Sequence, residues 1–159
     1  MKVLIVSDTH RRTESYFDAL KKEKPVDLVI HCGDIEGDEE TFRLRTDCPV
    51  VMVSGNNDFF GFYPKDQMLD VAGYKVFVTH GHYYGVSLDT QRIKEEARER
   101  GADIVMFGHT HKPLIDRDED IIAINPGSLA YPRQEGYRPT YIVMTIEDGG
   151  EASFELKYL

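Results

Sequence analysis

The sequence has few of the features that mark secreted or redox-active proteins. Its two cysteines, Cys32 and Cys48, do not form the CxxC pair that is typical of redox and zinc sites. Isolated thiols of this kind are usual in a reducing compartment. We therefore predict two free cysteines and a cytoplasmic location.

Long apolar runs are also missing. No run approaches the roughly 20 residues that a membrane-spanning helix needs, and the strand-like run 2–6 begins at once, which predicts no secretory signal. Basic residues are outnumbered, since the net charge is −9, and this argues against a nucleic-acid-binding face. We expect neither a membrane nor a nucleic acid as the partner.

The composition that remains is that of a folded α/β protein. Apolar residues make up 41% of the 159 residues, which argues against disorder and favours one domain over residues 1–159. Short apolar runs alternate with amphipathic stretches early in the chain, and strands follow late, which predicts sheets covered by helices. In sheets of this type, ligands bind beyond the carboxyl ends of the strands.

The individual elements follow from the same patterns. Helices are predicted at 13–24, 38–45 and 87–100, with Ser87 as the N-cap and Gly101 as the end of the third. Residues 71–75 are expected to turn between two strands, and 141–146 and 152–158 to pair around Asp148-Gly149-Gly150. Further short strands are expected at 3–6, 28–30, 50–53, 76–78, 104–107 and 121–124. The aromatic loop 59–66 either lies near the site mouth or packs its rings into the core, and it is a candidate interface between copies.

His109 and His111 are the most informative pair of residues. They follow the apolar run 104–107 and lie two positions apart, so in extended chain both imidazoles point to one side. Gly108 leaves room for close approach to the backbone. The alternative interpretation is an ordinary polar turn after a strand.

All six histidines lie within a few residues of a predicted strand end, and acids or amides accompany them. Carboxylates and imidazoles without thiolates suit Mn, Fe, Co, Ni or Zn. Several carboxylates and an amide oxygen exceed the needs of one tetrahedral zinc, so two metal ions fit better. The histidines are His10, His31, His80, His82, His109 and His111.

The order of these groups resembles the motif set of the calcineurin-like metallophosphoesterases. The motifs are Asp8-x-His10, Gly33-Asp34, Gly55-Asn56-x-Asp58, His80 and Gly108-His109-x-His111. The short length, His80-Gly81-His82 and the segment 125–133 are similar to the small prokaryotic phosphodiesterase subfamily. The resemblance covers essentially the whole chain.

This resemblance implies a two-sheet β sandwich flanked by helices, in four α/β/β/α layers, and two divalent transition-metal ions. It also implies hydrolysis of a small phosphoester, most specifically a phosphodiester, by a hydroxide that bridges the metals and attacks phosphorus in line. Manganese is the expected metal, ahead of Ni, Fe, Co and Zn. Carried over by motif, Asp8, His10 and His111 hold one ion, Asn56, His80 and His109 hold the other, and Asp34 bridges both.

The chain departs from the family pattern at Asn57, where many members carry a histidine that serves the reacting phosphate. An amide can donate a hydrogen bond but supplies no proton at neutral pH. We therefore predict His82 as the substitute acid and Asp58 as a catalytic partner that orients Asn57, His10 or His82. His31 is expected to support a metal ligand.

Substrate binding is predicted for Asn57, Ser128 and Arg133. For the last two, the alternative is a Pro-Gly turn followed by a surface arginine. The alternative for the whole chain is a non-catalytic scaffold, because the retromer subunit with this fold shows that such domains can bind proteins. A mononuclear zinc hydrolase would leave Asp34 and Asn56 without roles.

Overall fold

The computed structural model describes residues 1–59, 61–147 and 149–159. Phe60 of the predicted aromatic loop and Asp148 of the predicted hairpin turn lie outside the described residues. None of the helices in the described ranges is long and apolar enough to cross a membrane.

Ten strands and three α-helices make up the described part of the chain. The helices are Thr13–Glu23 (α1), Glu39–Arg45 (α2) and Gln91–Glu99 (α3), and His82–Tyr84 forms a short 3-10 turn. The strands are Lys2–Val6 (β1), Leu28–His31 (β2), Val50–Met52 (β3), Asp66–Val71 (β4), Tyr74–Thr79 (β5), Ile104–Met106 (β6), Pro113–Arg117 (β7), Ile122–Pro126 (β8), Thr140–Ile146 (β9) and Ala152–Tyr158 (β10).

The strands form two five-stranded mixed sheets. The first has the order β10-β9-β1-β2-β3, in which β1, β2 and β3 run parallel. The second has the order β4-β5-β6-β8-β7, in which β5, β6 and β8 run parallel. Each sheet therefore presents several carboxyl ends at one edge, where ligand sites of parallel sheets form.

The sheets pack face to face, and helices cover their outer faces. Side chains in a strand alternate between the two faces, and β1 shows this: Val3 and Ile5 join the core between the sheets, whereas Leu4 and Val6 pack beneath α1 and α2. On the second sheet, Phe77 and other outward residues pack with α3. These four layers confirm the predicted helix-flanked β sandwich.

The structure corrects the predicted start of the third helix. α3 begins at Gln91, four residues later than Ser87, and Ser87 lies in a turn before it. Thr90 precedes the helix, but its hydroxyl donates to Asp116 Oδ2 at 2.9 Å and does not cap a helical N–H. Ser87 is a capping residue type, but the helix begins four residues later, after Thr90 has bonded to Asp116 of the edge strand β7.

Strand β7 was not predicted from the sequence, because Pro113–Arg117 is half-buried, has no long apolar run and begins with proline. Proline is tolerated at the first residue of an edge strand. The hairpin of β9 and β10 and the turn between β4 and β5 formed as predicted. In the aromatic loop, Phe59 and Phe62 are exposed, whereas Tyr63 packs partly against the core.

Candidate metal centre

The seven predicted ligands converge where five strands of both sheets end. The parallel strands of the two facing sheets have their carboxyl ends at a common edge, so the residues that follow these strands meet there. Asp8 and His10 follow β1, Asp34 follows β2, Asn56 follows β3, His80 follows β5, and His109 and His111 follow β6.

The backbone at this edge adopts a conformation that side-chain-bearing residues seldom accept. A positive φ at a non-glycine residue is uncommon and costs of order 1–3 kcal/mol where the surroundings impose it. Such strain collects at functional sites, and here it is repeated on three different strand ends. The positive φ values are 53° at Asp8, 42° at His10, 58° at Asp34, 68° at His109 and 58° at His111.

Two glycines permit the close approach of these segments. A Cβ on Gly108 would lie 2.0 Å from Ser7 Oγ, and a Cβ on Gly55 would lie 2.1 Å from Asp34 Oδ1. Neither position has room for a methyl group. The sequence signals Gly108-His109 and Gly55-Asn56 therefore reflect backbone contact with the acid-bearing loops.

The first cluster comprises Asp8, His10, Asp34 and His111, with one ligand atom from each within 4.8 Å of the others. His111 Nε2 lies 3.1 Å from Asp8 Oδ1 and 3.3 Å from His10 Nε2. His10 Nε2 lies 3.7 Å from Asp34 Oδ2. These separations suit ligands of one ion, each at about 2.0–2.2 Å from it.

The second cluster is built around Asn56 and shares Asp34 with the first. Asn56 Oδ1 lies 3.1 Å from His80 Nε2 and 2.9 Å from His109 Nδ1. His80 Nε2 lies 3.4 Å from Asp34 Oδ2. The same carboxylate oxygen thus faces a histidine of each cluster.

Hydrogen bonds on the outer side of three rings determine which nitrogen faces inward. His80 Nδ1 donates to the Cys32 carbonyl at 2.7 Å, and His111 Nδ1 donates to the Tyr131 carbonyl at 2.7 Å. His10 Nδ1 lies 2.5 Å from Glu36 Oε1. Because these oxygens only accept, each Nδ1 carries a proton, and Nε2 is the ring nitrogen that faces inward and can bind a metal. Metal-ligating histidines are held in this way.

The carboxylate oxygens and imidazole nitrogens that face the centre of the cluster are suited to bind a cation. Asp8 Oδ1 is buried and has no hydrogen-bond donor among the described residues, although Asp8 Oδ2 accepts the His109 N–H at 3.1 Å. A buried carboxylate oxygen without a partner is costly. A divalent ion between this oxygen and the Nε2 atoms of His10 and His111 would give all three atoms a partner. Imidazole and carboxylate donors without thiolate suit Mn, Fe, Co, Ni or Zn.

The pKa shifts show that the site attracts positive charge. Burial disfavours the charged imidazole of His80, but Asp34 and Asp8 outweigh it and raise the pKa to about 9. Burial likewise opposes ionisation of both acids, yet the neighbouring histidines hold the pKa of Asp8 and of Asp34 below the usual value. The acids therefore stay ionised and favour a cation at this point.

Asp58 holds the loop that carries Asp34. Its Oδ1 accepts the N–H groups of Ile35 and Glu36 at 2.8 and 2.7 Å, and its Oδ2 accepts those of Asp34 and Gly55 at 2.8 Å each. The four bonds occupy the carboxylate. This geometry favours a loop-organising role, and the predicted catalytic role of Asp58 stays a prediction.

His82 lies beside the second cluster, with ring centroids 5.4 Å from His80 and 6.1 Å from His109. Burial, together with those two rings, lowers the pKa of His82 to about 4. At pH 7 only about one molecule in a thousand would carry the imidazolium that donates a proton. The role of His82 as the acid stays a prediction, and the lowered pKa disfavours it near neutral pH.

The predicted substrate-binding residues occupy different environments. Asn57 donates its side-chain N–H to Asp34 Oδ2 at 2.7 Å and its backbone N–H to Asp34 Oδ1 at 2.9 Å. Ser128 is 0% exposed, and its hydroxyl donates to the Asp8 carbonyl at 2.8 Å, which favours a structural role. Arg133 is exposed.

His31 and Glu36 support the residues that carry the proposed ligands. His31 is buried: its Nδ1 accepts the Gly33 N–H at 3.2 Å, and its Nε2 lies 3.1 Å from Thr9 Oγ1, so it braces two ligand loops. Glu36 was missed, because an acid two residues after Asp34 in an acidic stretch resembles a solvated surface residue. Only the fold shows that it contacts His10.

Comparison with known proteins gives a family and close relatives. The sequence model of the calcineurin-like phosphoesterase superfamily domain matches residues 1–149. The probable metallophosphoesterase YsnB of Bacillus subtilis is 36% identical over 149 residues, 93% of this chain and 86% of that protein. A protein of Methanocaldococcus jannaschii named a phosphodiesterase is 30% identical over 147 residues, 80% of this chain and 83% of that protein.

A solved structure agrees with these relatives. The crystal structure of a predicted phosphoesterase from Streptococcus pneumoniae superposes with a TM-score of 0.83 at 27% identity, and the match covers 99% of this chain and 88% of that one. The two-sheet fold is therefore the fold of this family.

Proposed function

Because the chain belongs to the calcineurin-like phosphoesterase superfamily, we propose that it is a phosphodiesterase that uses two divalent transition-metal ions. The observation that carries the proposal is the position of Asp34 Oδ2, which faces His10 in one cluster and His80 in the other. A relative named a phosphodiesterase supports the diester substrate.

In this proposal the chain divides its ligands between two positions. Asp34 is shared, since one carboxylate can serve two ions. When bound, the ions supply an activated water and offset the negative charge of the phosphoryl group. Asp8, His10 and His111 hold one ion, and Asn56, His80 and His109 hold the other.

The proposed reaction is an in-line displacement at phosphorus. The oxygen of water bonds to phosphorus as the opposite P–O ester bond breaks, and the leaving oxygen takes a proton. Asn57, beside Asp34, would donate a hydrogen bond to a phosphoryl oxygen, and Arg133 would bind the substrate through its positive charge. For a leaving group that is stable as an anion, no proton donor from the chain is needed.

Metal analysis and turnover test the proposal directly. Purified protein should bind close to two equivalents of metal, with manganese the first choice, and hydrolyse bis(4-nitrophenyl) phosphate. Chelation should abolish turnover, and added Mn should restore it. Asp34→Ala should lose more metal than His109→Ala, since only Asp34 serves both positions. Elemental analysis that finds no metal, together with no turnover in added Mn, Ni, Co, Fe or Zn, would instead favour a protein-binding scaffold.

Some predictions from the sequence remain proposals. They are the single domain over residues 1–159, the cytoplasmic location and the interface between copies at the aromatic loop. The exposed rings of Phe59 and Phe62 are available to such an interface. Sedimentation at several concentrations would test it.

A further inference from the structure

A cleft of about 620 Å³ is lined in part by the loop that carries two of the proposed metal ligands. Thr110 and Lys112 line it, and these residues alternate with His109 and His111 along one loop. Successive Cα atoms are about 3.8 Å apart, so the cleft starts within one residue of two proposed ligands. We call it the Lys112 cleft and define it by Leu88, Thr110, Lys112, Leu114, Asn125 and Arg133.

The Lys112 cleft carries positive charge in an acidic protein. The chain has a net charge of −9, yet Lys112 and Arg133 both line this one concavity. Within the ranges that the structure describes, neither side chain has a carboxylate oxygen within the 4.0 Å of an ion pair. Both side chains are exposed and free to meet an anion.

The acids on the same walls already have partners. Asp116 pairs with Lys94 at 2.6 Å and accepts the Thr90 hydroxyl at 2.9 Å. Asp89 accepts the backbone N–H of Gln91 at 3.0 Å. Within the described ranges Asp89 has no cation at ion-pair distance, so Lys112 and Arg133 face one uncompensated carboxylate and the excess charge in the cleft is positive.

The backbone that carries the two cations is held in place. Asn125 Nδ2 donates to Thr110 Oγ1 at 3.0 Å, and Thr110 Oγ1 accepts the Lys112 N–H at 3.2 Å. The backbone N–H of Arg133 donates to the His111 carbonyl at 3.0 Å. The backbone at both positions is thus fixed relative to the loop of the metal centre, so only the two side chains remain to be ordered around a ligand.

The apolar residues at the rim of the cleft favour a ligand that has an organic group in addition to an anion. Leu88 is 91% exposed and Leu114 is 38% exposed. An inorganic anion would leave these apolar surfaces uncovered. The volume also falls within the roughly 300–1,000 Å³ of small-molecule sites.

We propose that the Lys112 cleft binds a second phosphate of the substrate, held by Lys112 and Arg133, while the organic group joined to it lies on Leu88 and Leu114. The substrate class is then a phosphodiester whose non-reacting ester group carries a phosphomonoester. A nucleoside with the reacting diester at its 5′ position and a phosphomonoester at its 3′ position has this form. The inference rests on the proposed phosphodiesterase function.

Two chromogenic diesters that differ only in the second phosphate measure its effect on turnover. Thymidine 5′-(4-nitrophenyl phosphate) and its 3′-phosphorylated form share the same scissile bond and leaving group. The wild type should prefer the 3′-phosphorylated form by about tenfold or more in kcat/KM, as charge-assisted hydrogen bonds to phosphate provide. The double variant Lys112→Ala/Arg133→Ala should bring that ratio to about one.

A second double variant controls for the loss of two positive charges at the surface. Lys75→Ala/Arg92→Ala removes two exposed cations that lie outside the cleft and should keep the wild-type ratio. Thermal unfolding of both double variants checks that the fold is intact, which the exposure of all four side chains leads us to expect. The inference is overturned if the wild type shows a kcat/KM ratio near one, or if the preference remains in Lys112→Ala/Arg133→Ala. Neither result would contradict the proposed phosphodiesterase activity.

A binding measurement tests the proposed phosphate site independently of the proposed phosphodiesterase activity. With metal removed by EDTA, calorimetry with thymidine 3′,5′-bisphosphate should show binding to the wild type and at least tenfold weaker binding to Lys112→Ala/Arg133→Ala. If neither diester is hydrolysed with any metal, the proposed function fails and this measurement decides the cleft. Absent bisphosphate binding, or binding equal to that of thymidine 5′-monophosphate, overturns it.

Discussion

Asp58→Asn decides between a loop-organising and a catalytic role for this carboxylate. The two oxygens of Asp58 accept four backbone N–H groups, two each, from residues 34–36 and Gly55. Asparagine keeps one oxygen and places an NH2 group against the other two donors. Two N–H groups then lose their acceptor.

The size of the effect follows from those two lost bonds. Each unsatisfied donor costs roughly 1–3 kcal/mol, and the site is only part-buried, so the free energy of unfolding should fall by about 2–4 kcal/mol. For a chain of this length, 1 kcal/mol corresponds to roughly 2–4 °C, so the melting temperature should fall by roughly 4–16 °C. Calorimetry in EDTA measures this without a metal contribution.

A matched control has the same substitution at a simpler acid. Asp70 Oδ1 accepts one backbone N–H, that of Gly73 at 2.9 Å, in an exposed turn. Asp70→Asn should cost at most about 1 kcal/mol. If Asp58→Asn melts like Asp70→Asn and keeps its metal, yet loses turnover by 100-fold or more, Asp58 acts on the reacting atoms and the structural reasoning is refuted.

Three further predictions follow from the same site. Glu36→Gln should weaken metal binding at the His10 position by about 10–100-fold and spare the other equivalent, since the carboxylate orients His10; calorimetric titration with Mn would show one altered site, and two unaltered sites would contradict it. Asn57→His should raise the rate on alkyl phosphomonoesters more than on aryl diesters, because imidazolium can supply the proton that an amide cannot; equal changes on both substrates would exclude position 57 from leaving-group chemistry. Burial lowers the pKa of His31 to about 4, so between pH 6.5 and 4 the unfolded chain binds a proton at this residue that the native state does not, and the contribution of His31 to stability falls as the pH falls. This residue should lower the free energy of unfolding by about 2 kcal/mol from pH 7 to pH 5; urea unfolding in EDTA should show a smaller pH difference in His31→Gln, and an equal difference would refute the assignment.

The sequence alone determined the alternation of strands and helices and the positions of the polar groups between them. Apolar runs such as 3–6 and 104–107 are local signals, since a strand buried on both faces needs apolar residues throughout. The ligand motifs were readable because each ligand directly follows such a run. The start of α3 was not readable, because Ser87 is a capping residue type, yet the helix begins only at Gln91, after Thr90 has bonded to Asp116 of β7.

Only the tertiary structure decided which groups meet. Asp8 and His111 are more than a hundred positions apart in sequence, and pairing of strands within two facing sheets brings them to 3.1 Å. The hydrogen bond from His10 to Glu36, the four N–H groups on Asp58 and the cations of the Lys112 cleft likewise arise between segments that no local pattern connects. The residue types at the strand ends are a property of the sequence, whereas distances, protonated nitrogens and unpaired charges are set by long-range packing.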